Sequence, residues 1–387
     1  MRRTVLLSDL HMGAGGKHEQ FRADAALAAL LEDFAADPCV AEVVLLGDTF
    51  DLGGGHPSAS AEPPAPDRLY DVLRAHADVV ASLRELVRQG TRIHVVQGNH
   101  DVELAGVTVR SALLRVLADG DATSVRFHPW LHHVPGVLLA EHGNQHHDIN
   151  AFDTVLTPLA SDDRVADEPF GGQLSRLRHE HRGAHLLPRA TQAAAREALR
   201  RSGPRRWRRR REYRQHALPR YAADVQLPRD VVLDLDRLGQ RHPAAVVARL
   251  LSQAARRGQY PGYLVAAAHD VRQALGDAAP PFLVMGHSHA ADARLLDSHD
   301  HASPMTYLNT GTWSLRGPRP GDTTLPPVTS TWVEVDVVDG SVAACARVLH
   351  LAGDGAHTVL AEADTRGRVE RLSRQSLPAA VTADYVT

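Results

Sequence analysis

The chain has 387 residues, of which 43% are hydrophobic and 23% are charged, and its formal net charge is −3. This ordinary globular composition excludes a wholly disordered chain and a fibrous protein, and the near-neutral charge excludes a polycation that coats nucleic acid over its whole surface. No apolar run approaches the ~18 residues of a membrane span, and we expect no signal peptide. The two cysteines lie far apart in the sequence and do not indicate a disulfide framework. We therefore expect a cytoplasmic protein, and the abundance of Ala, Arg, Gly and Pro indicates a bacterial one.

The first part of the chain alternates strand and helix patterns. Short apolar runs predict strands at 4–7, 43–46, 93–96 and 137–140. Apolar residues at helical spacing predict helices over 21–34 and 69–87, and the composition of 52–66 predicts a mobile loop. Strands that alternate with helices in this way favour an α/β sheet.

The middle of the chain reads differently. Helical patterns at 189–201, 205–216, 230–238 and 243–257 are separated by Pro or Gly, and strand patterns return at 282–285, 305–308, 331–338 and 342–349. We therefore predict one α/β domain, formed by 1–149 and 276–351 and split in sequence by a helical insertion over 150–275 that could form a cap. Residues 352–387, with weak periodicity, are predicted to be a C-terminal tail.

Five predicted strands end in residues that bind metals. The segments that follow them are Asp9-Leu10-His11, Gly47-Asp48-Thr49-Phe50-Asp51, Gly98-Asn99-His100-Asp101, Glu141-His142-Gly143 and Gly286-His287-Ser288-His289. Taken alone, each segment can be explained without a metal, since an Asp after a strand is often a helix N-cap and Gly-Asn favours a turn. Because ligands in open α/β sheets sit at the carboxyl ends of strands, the five segments together predict one shared crevice.

These five segments resemble the motifs of the calcineurin-like metallophosphoesterase superfamily. The resemblance spans residues 9 to 289 and extends to the strand-end segment 309–313. It implies a four-layer αββα sandwich and two divalent metal ions, with Mn²⁺ favoured and Fe or Zn as alternatives. It implies a hydrolase of phosphate esters, in which a hydroxide that bridges the metals attacks the phosphorus.

The resemblance also assigns the ligands. One metal would be held by Asp9, His11, Asp48 and His289. The other would be held by Asp48, Asn99, His142 and His287. Asp48 is then the bridge, and a shared carboxylate is what two closely spaced dications need.

The remaining site predictions concern protons and substrate. His100 would protonate the leaving oxygen, and Asp51 would orient its imidazole, as carboxylates do for histidines around metals. For Asp51 a helix N-cap is the alternative. Asn144 and His146 are predicted to contact the substrate, with solvated loop residues as the alternative. If the insertion overhangs the crevice, Arg208 is predicted to contact the substrate as well. The predicted substrate is a phosphomonoester, a phosphodiester or a nucleotide-like pyrophosphate. Other histidines, among them His128 and His132, are interpreted as surface or structural.

Residues 200–214 contain nine arginines and one glutamate. Such a segment can bind a polyanion, either nucleic acid or an anionic membrane surface, or it can bind the acidic remainder of the chain. The run also favours the alternative function of a metal-dependent DNA nuclease, since repair nucleases of this superfamily share the motifs. A non-catalytic scaffold that binds partner proteins is a further alternative, although such proteins tend to lose ligands and here every ligand position is filled.

Overall fold

The computed structural model describes most of the chain. The described residues are 1–17, 19–52, 63–159, 169, 204–240, 262–296, 303–315, 317, 324–338 and 344–371. The predicted loop at 52–66 falls mostly outside this part, and the predicted helices at 189–201 and 243–257 lie wholly outside it. Among the described residues, no helix has both the length and the apolar character needed to cross a membrane.

The first sheet contains eight strands. They are β1 (Arg2–Leu7), β2 (Val40–Leu46), β3 (Arg92–Val96), β4 (Val125–His128), β10 (Thr331–Val337), β11 (Ala344–Leu351), β12 (His357–Asp364) and β13 (Val369–Arg371). Their order is β13-β12-β11-β10-β1-β2-β3-β4. The strands β1 to β4 are parallel, and β10 joins β1 antiparallel and continues the sheet on its other side.

The second sheet contains five strands, in the order β5-β6-β7-β9-β8. They are β5 (Leu131–Val134), β6 (Leu138–Glu141), β7 (Phe282–Met285), β8 (Asp292–Leu296) and β9 (Met305–Asn309). The strands β6, β7 and β9 are parallel, and the two edge strands are antiparallel to them. Both sheets are therefore mixed.

Helices cover the outer face of each sheet. On the first sheet they are α1 (Asp24–Ala36), α2 (Ala65–Ala75), α3 (Ala77–Arg88) and α4 (Val107–Ala118). On the second they are α5 (Pro204–Glu212), which continues through a π-helical turn into α6 (Leu218–Asp224), then α7 (Arg229–Leu238) and α8 (Tyr263–Leu275). The fold is thus a four-layer αββα sandwich, as predicted.

Strand alternation builds the layers. In β2, Val43 and Leu45 face the helices, whereas Val44 and Leu46 face the second sheet. The same period of two recurs in β6, where Leu139 packs on the helices of the second sheet. Because both faces of the central strands are covered, their sequences are continuous apolar runs, which is what made them visible in the sequence.

Two differences from the predictions have identifiable structural causes. The helix predicted over 69–87 is two helices, because His76 leaves helical geometry (φ −117°) and its ring bonds to Asp24 and to the carbonyl of Gly13. Residues assigned to a tail form β12 and β13, which pair onto β11. A register shift between Val348 and Leu349 interrupts that pairing and obscures the strand period.

The described part of 150–275 lies on the second sheet. Tyr213, Leu218 and Val232 share one apolar cluster with Leu131 and Leu283 of the strands. The hydroxyl of Tyr221 accepts the N–H of Leu131 at 2.6 Å. These helices therefore supply the fourth layer of the sandwich, and the boundaries drawn at 149 and 276 remain a prediction.

Candidate dinuclear metal centre

The predicted ligands leave the carboxyl ends of five strands. Asp9 and His11 follow β1, and Asp48 follows β2. Asn99 follows β3, His142 follows β6, and His287 and His289 follow β7. Because β1 to β3 belong to one sheet and β6 and β7 to the other, loops from both sheets meet at the end of the sandwich where these strands terminate.

The first cluster contains Asp9, His11 and His289, each with a ligand atom within 4.8 Å of the others. The Nε2 atoms of the two histidines are 3.1 Å apart, and His289 Nε2 is 3.3 Å from Asp9 Oδ1. Asp9 and His11 are buried, yet Asp9 Oδ1 and His11 Nδ1 have no hydrogen-bond partner among the described residues. Imidazole nitrogens and a carboxylate that converge without partners fit a cation between them.

The second cluster contains Asp48, His142 and His287. His142 Nε2 lies 3.2 Å from Asp48 Oδ2 and 3.2 Å from His287 Nδ1. The other nitrogen of His142 donates to the carbonyl of Leu46 at 3.0 Å, which fixes the ring and leaves Nε2 facing the cluster.

Asp48 joins the two clusters. Its Oδ2 atom lies 3.2 Å from His142 Nε2 on one side and 3.8 Å from His11 Nε2 on the other. Its Oδ1 atom accepts the backbone N–H of His100 at 2.8 Å. A carboxylate between two histidine clusters is placed as a bridging ligand needs to be.

Asn99 completes the predicted set. Its side-chain oxygen is buried and has no hydrogen-bond partner within the described chain. The loop around it is held by two carboxylates, since Gly98 N–H donates to Asp101 at 2.7 Å and His100 N–H donates to Asp48. An unpaired buried amide oxygen costs free energy, and a metal ion would remove that cost.

His100 stands beside the ligands and is partly open to solvent. Its side chain is 37% exposed, and its Nδ1 atom is 3.1 Å from Asp51 Oδ1. Its ring lies edge-on to that of His11, with centroids 4.7 Å apart. Burial acts to lower the pKa of His100, but the charges of Asp48 and Asp51 outweigh it and raise the pKa to about 9.

Asp101 supports the loops. Its carboxylate accepts the N–H groups of Gly98 and Thr49, at 2.7 and 2.9 Å, and so ties the loop after β3 to the loop after β2. Burial and the nearby charge of Asp48 raise the pKa of Asp101 to about 7.

The backbone of the ligand loops is strained. Of the eight non-glycine residues with positive φ in the described chain, five are predicted ligands: Asp9, His11, Asp48, His287 and His289. Such conformations cost on the order of 1–3 kcal/mol each and cluster at functional sites. Gly98 and Gly286 permit the close approach, because a Cβ on Gly98 would collide with Asp48 and one on Gly286 with Ser8 and Asp9.

The segment 309–313 lies against the first ligand loop. Thr312 Oγ1 and the backbone N–H of Trp313 both donate to the carbonyl of Asp9, at 2.9 and 3.2 Å. Thr310 Oγ1 lies 2.5 Å from Ser8 Oγ, which in turn bonds to the Asp9 carboxylate. The segment therefore fixes Asp9.

The three predicted substrate residues bond to other groups or lie at the surface. Asn144 and His146 are buried, and they bond to the carbonyl of Asn150 and to Glu141 Oε1. Arg208 is exposed on α5. None of these contacts is to a predicted ligand, so the substrate role of the three residues remains a prediction.

Two residues that the sequence analysis did not select lie at the second cluster. Asn150 Nδ2 is 3.3 Å from His287 Nε2. The ring of Tyr263 lies 5.2 Å from that of His147, which is also 5.2 Å from that of His287. The polar run from Asn144 to Asn150 directly after His142 was a signal for Asn150, whereas nothing local marked Tyr263.

The donor set fits two divalent metals. Carboxylate oxygens, imidazole nitrogens and one amide oxygen suit Mn, Fe or Zn and do not suit soft copper or iron–sulfur chemistry. Three atoms of predicted ligands, Asp9 Oδ1, His11 Nδ1 and Asn99 Oδ1, are among the buried atoms that have no hydrogen-bond partner within the described residues.

Comparison with known proteins gives the following. The model of the family described as Calcineurin-like phosphoesterase matches residues 2–225. Among solved structures, Chaetomium thermophilum Vps29 is 10% identical over 96% of this chain and 95% of that chain, with a TM-score of 0.28. The phosphopantetheinyl hydrolase PptH from Mycobacterium tuberculosis is 13% identical over 80% of this chain and 90% of that chain, with a TM-score of 0.29. No curated protein matches the sequence.

Proposed function

Because the chain belongs to the calcineurin-like phosphoesterase family, we propose that it hydrolyses phosphate esters with a pair of divalent metal ions. The observation that carries this proposal is the placement of Asp48 between two clusters of metal-binding side chains. The proposed substrates are phosphomonoesters, phosphodiesters or nucleotide-like pyrophosphates.

Each metal would have its own ligands. Asp9, His11, Asp48 and His289 would hold one, and Asp48, Asn99, His142 and His287 would hold the other. When bound, the pair supplies an activated water nucleophile and neutralises charge on the phosphoryl oxygens. The strained loops and the unpaired buried atoms support this assignment, because both are costs that bound metals would offset.

His100 would donate the proton that the leaving oxygen needs. The bond from Nδ1–H to Asp51 would leave Nε2–H as the proton that can be transferred. Asp51 acts as the positioning residue, since it fixes both the tautomer and the orientation of the ring.

A second candidate is DNA cleavage by the same centre. In the described part of the arginine run, Trp207 is 67% exposed, and Arg208 and Arg211 are exposed beside it. Exposed cations next to an aromatic ring are the features that hold single-stranded or duplex phosphates and bases. This favours a polyanionic substrate or partner at α5.

The test is a turnover screen on the purified protein. It compares p-nitrophenyl phosphate, bis-p-nitrophenyl phosphate, a dinucleotide pyrophosphate and DNA, each with Mn²⁺, Fe²⁺ or Zn²⁺. We expect metal-dependent turnover that disappears in Asp48→Asn. The control Asp71→Asn removes a carboxylate from an exposed ion pair with Arg74 and should keep full activity. A chain that binds two metals and turns over none of the four substrates would favour the scaffold.

A further inference from the structure

A second group of histidines lies away from the candidate dinuclear centre. It contains His94 in β3, His128 at the end of β4 and His132 in β5, and each ring offers a nitrogen within 4.8 Å of one on the other two. We name these three residues the edge histidines. None of them is a predicted ligand of the dinuclear centre, and sequence reasoning had assigned His128 and His132 to surface or structural roles.

The edge histidines occupy the apolar layer between the sheets. β3 and β4 belong to the first sheet and β5 to the second, so the group joins the two sheets at one edge. The neighbouring position in β3 on the same face, Val96, belongs to the apolar cluster between the sheets. His94 and His132 are 4% and 3% exposed, and His128 is half-buried. Three imidazoles in such a layer are costly unless their nitrogens have partners.

Two of those nitrogens lack partners. His94 Nδ1 is 2.8 Å from His128 Nε2, and this contact satisfies one pair. His94 Nε2 and His132 Nε2 are buried and have no hydrogen-bond partner among the described residues. A buried nitrogen without a partner costs free energy, so the group as it stands is destabilising.

The rings are in the form that binds metals. Burial and the neighbouring His128 lower the pKa of His94 to about 3, and burial with Arg126 lowers that of His128 to about 4. Burial and His94 lower the pKa of His132 as well. All three imidazoles are therefore neutral at physiological pH, and a neutral imidazole is the commonest metal ligand in proteins.

We propose that the edge histidines form a third metal site, for Zn²⁺ or a similar borderline dication. Three imidazole nitrogens at ~2.0–2.1 Å from a tetrahedral zinc lie about 3.3 Å from one another, and in this structure one nitrogen of each ring lies within 4.8 Å of the other two. Glu42 Oε1 lies 3.8 Å from His94 Nε2 and is held by Arg92 at 3.1 Å. The carboxylate lies at the nitrogen of His94 that does not meet His128, and it is therefore placed to orient the His94 ring. The bound ion would clamp β4 of one sheet to β5 of the other.

The experiment measures zinc bound per chain in the intact protein after exhaustive dialysis. His128→Gln and His132→Gln are compared with His133→Gln, a neighbouring histidine whose Nδ1 donates to the carbonyl of Val225 and which is not part of the group. We expect His128→Gln and His132→Gln to lose one zinc equivalent and His133→Gln to lose none. The loss should persist in an Asp48→Asn background, which separates this site from the dinuclear centre.

Equal zinc content in all three variants would overturn the proposal and leave the edge histidines as a hydrogen-bonded cluster. If the variants do not fold, the proposal can be tested on crystals of the wild-type protein. Crystals soaked in zinc should show an anomalous peak between the three rings. A peak at the dinuclear centre with none at the edge histidines would also overturn the proposal.

Discussion

His100 Nδ1 lies 3.1 Å from Asp51 Oδ1, although the two residues follow different strands and stand 49 positions apart. The backbone N–H of His100 is bonded to Asp48 at the same time. The imidazole ring of His100 is thus held at Nδ1, and the backbone of His100 is hydrogen-bonded to the proposed bridging ligand. The proposed function separates proton transfer, assigned to His100, from metal binding, assigned to its neighbours.

This separation gives the first prediction. His100→Ala should keep both metals and lower kcat by ~10²–10⁴, the usual contribution of a general acid. The loss should be smaller for p-nitrophenyl esters than for alkyl esters, because p-nitrophenolate leaves without a proton. Metal analysis and kcat on both ester types check it. An equal loss on both types would remove His100 from this role.

Asp51→Asn tests the residue that is proposed to position His100. An amide that replaces the carboxylate removes one of the charges that raise the pKa of His100, the other being that of Asp48, so we expect kcat to fall ~10–100-fold with little change in KM. The alkaline limb of the pH–kcat profile should also move to lower pH. A rate loss without that movement would mean that Asp51 only supports the loop.

Asp48→Asn tests the bridge. Two dications close together repel strongly, and the shared carboxylate compensates part of that repulsion. We expect the variant to bind less metal and to lose more than about 10²-fold in turnover, which is beyond the cost of losing an outer partner of a ligand. Atomic absorption and kcat measure both. Native metal content with near-native turnover would contradict the bridging assignment.

The sequence predicted the position of the centre because strand ends are visible locally. Each segment with predicted ligands follows an apolar run within a few residues. Parallel strands bring the carboxyl ends of such runs to one edge of a sheet. What the sequence could not show was the backbone conformation. The positive φ at Asp9 and Asp48 depends on contacts made by distant segments, such as Thr312 on the Asp9 carbonyl.

Long-range contacts also explain the remaining differences. The break at His76 is held by Asp24 and Gly13, which lie 52 and 63 positions away, and no helix propensity predicts it. Tyr263 reaches the second cluster because α8 packs on the sheet. The edge histidines lie on three strands and share no motif, so only the tertiary structure brings them together.

Glu19 provides a test of pH-dependent stability. Its carboxylate accepts the N–H groups of Gly13, Gly15 and Phe21, next to the loop of His11. Burial acts to raise its pKa, but His76 and these N–H groups outweigh it and lower the pKa from 4.5 to about 2. The stabilisation is therefore present above pH 4.5 and is lost as the pH falls toward 2.

We expect Glu19→Gln to lower the free energy of unfolding by about 1–3 kcal/mol near pH 5–6. The pKa of His76 is raised from 6.5 because its bonds to Glu19 and Asp24 outweigh burial, so its own contribution is lost as the pH rises above 6.5. The difference in free energy of unfolding between Glu19→Gln and wild type should thus be smaller at pH values below and above the range of about 5–6. Glu85→Gln, from an exposed pair with Arg88, is the control and should change stability by less than ~1 kcal/mol at every pH.

The arginine run can be divided by its contacts. Arg208 and Arg211 are exposed, whereas Arg209 donates to the carbonyl of Thr157 and Arg210 pairs with Asp153 at 3.3 Å. We expect Arg208→Gln with Arg211→Gln to weaken binding of DNA and to flatten its salt dependence, because fewer counterions are released.

The control for that experiment is the pair Arg209→Gln and Arg210→Gln. It removes the same charge from the same helix but takes it from groups already bonded within the chain, so it should change stability more than DNA affinity. Binding measured by fluorescence anisotropy at several salt concentrations distinguishes the two pairs. Identical salt slopes for wild type and both double variants would assign the run to assembly or solubility.

Tyr221→Phe tests whether the insertion helices and the second sheet unfold together. The Tyr221 hydroxyl accepts the N–H of Leu131 at 2.6 Å and donates to its carbonyl at 3.3 Å. Removing it leaves buried backbone groups unpaired, and we expect a loss of about 1–3 kcal/mol in one cooperative transition. Tyr70→Phe, whose hydroxyl meets Arg115 at the surface, should lose little. Two separate transitions in wild type would contradict this coupling.

The pairing of β1 with β10 has a consequence for how a ribosome makes this protein. Arg3 lies opposite Asp336, 333 residues later. At a translation rate of ~5–20 residues per second, the interval between their synthesis is roughly 15–70 s. Throughout that time the nascent chain carries an unpaired strand edge, the feature that invites aggregation. The time for which this edge stays unpaired should therefore affect how much of the protein aggregates while it is being made in cells.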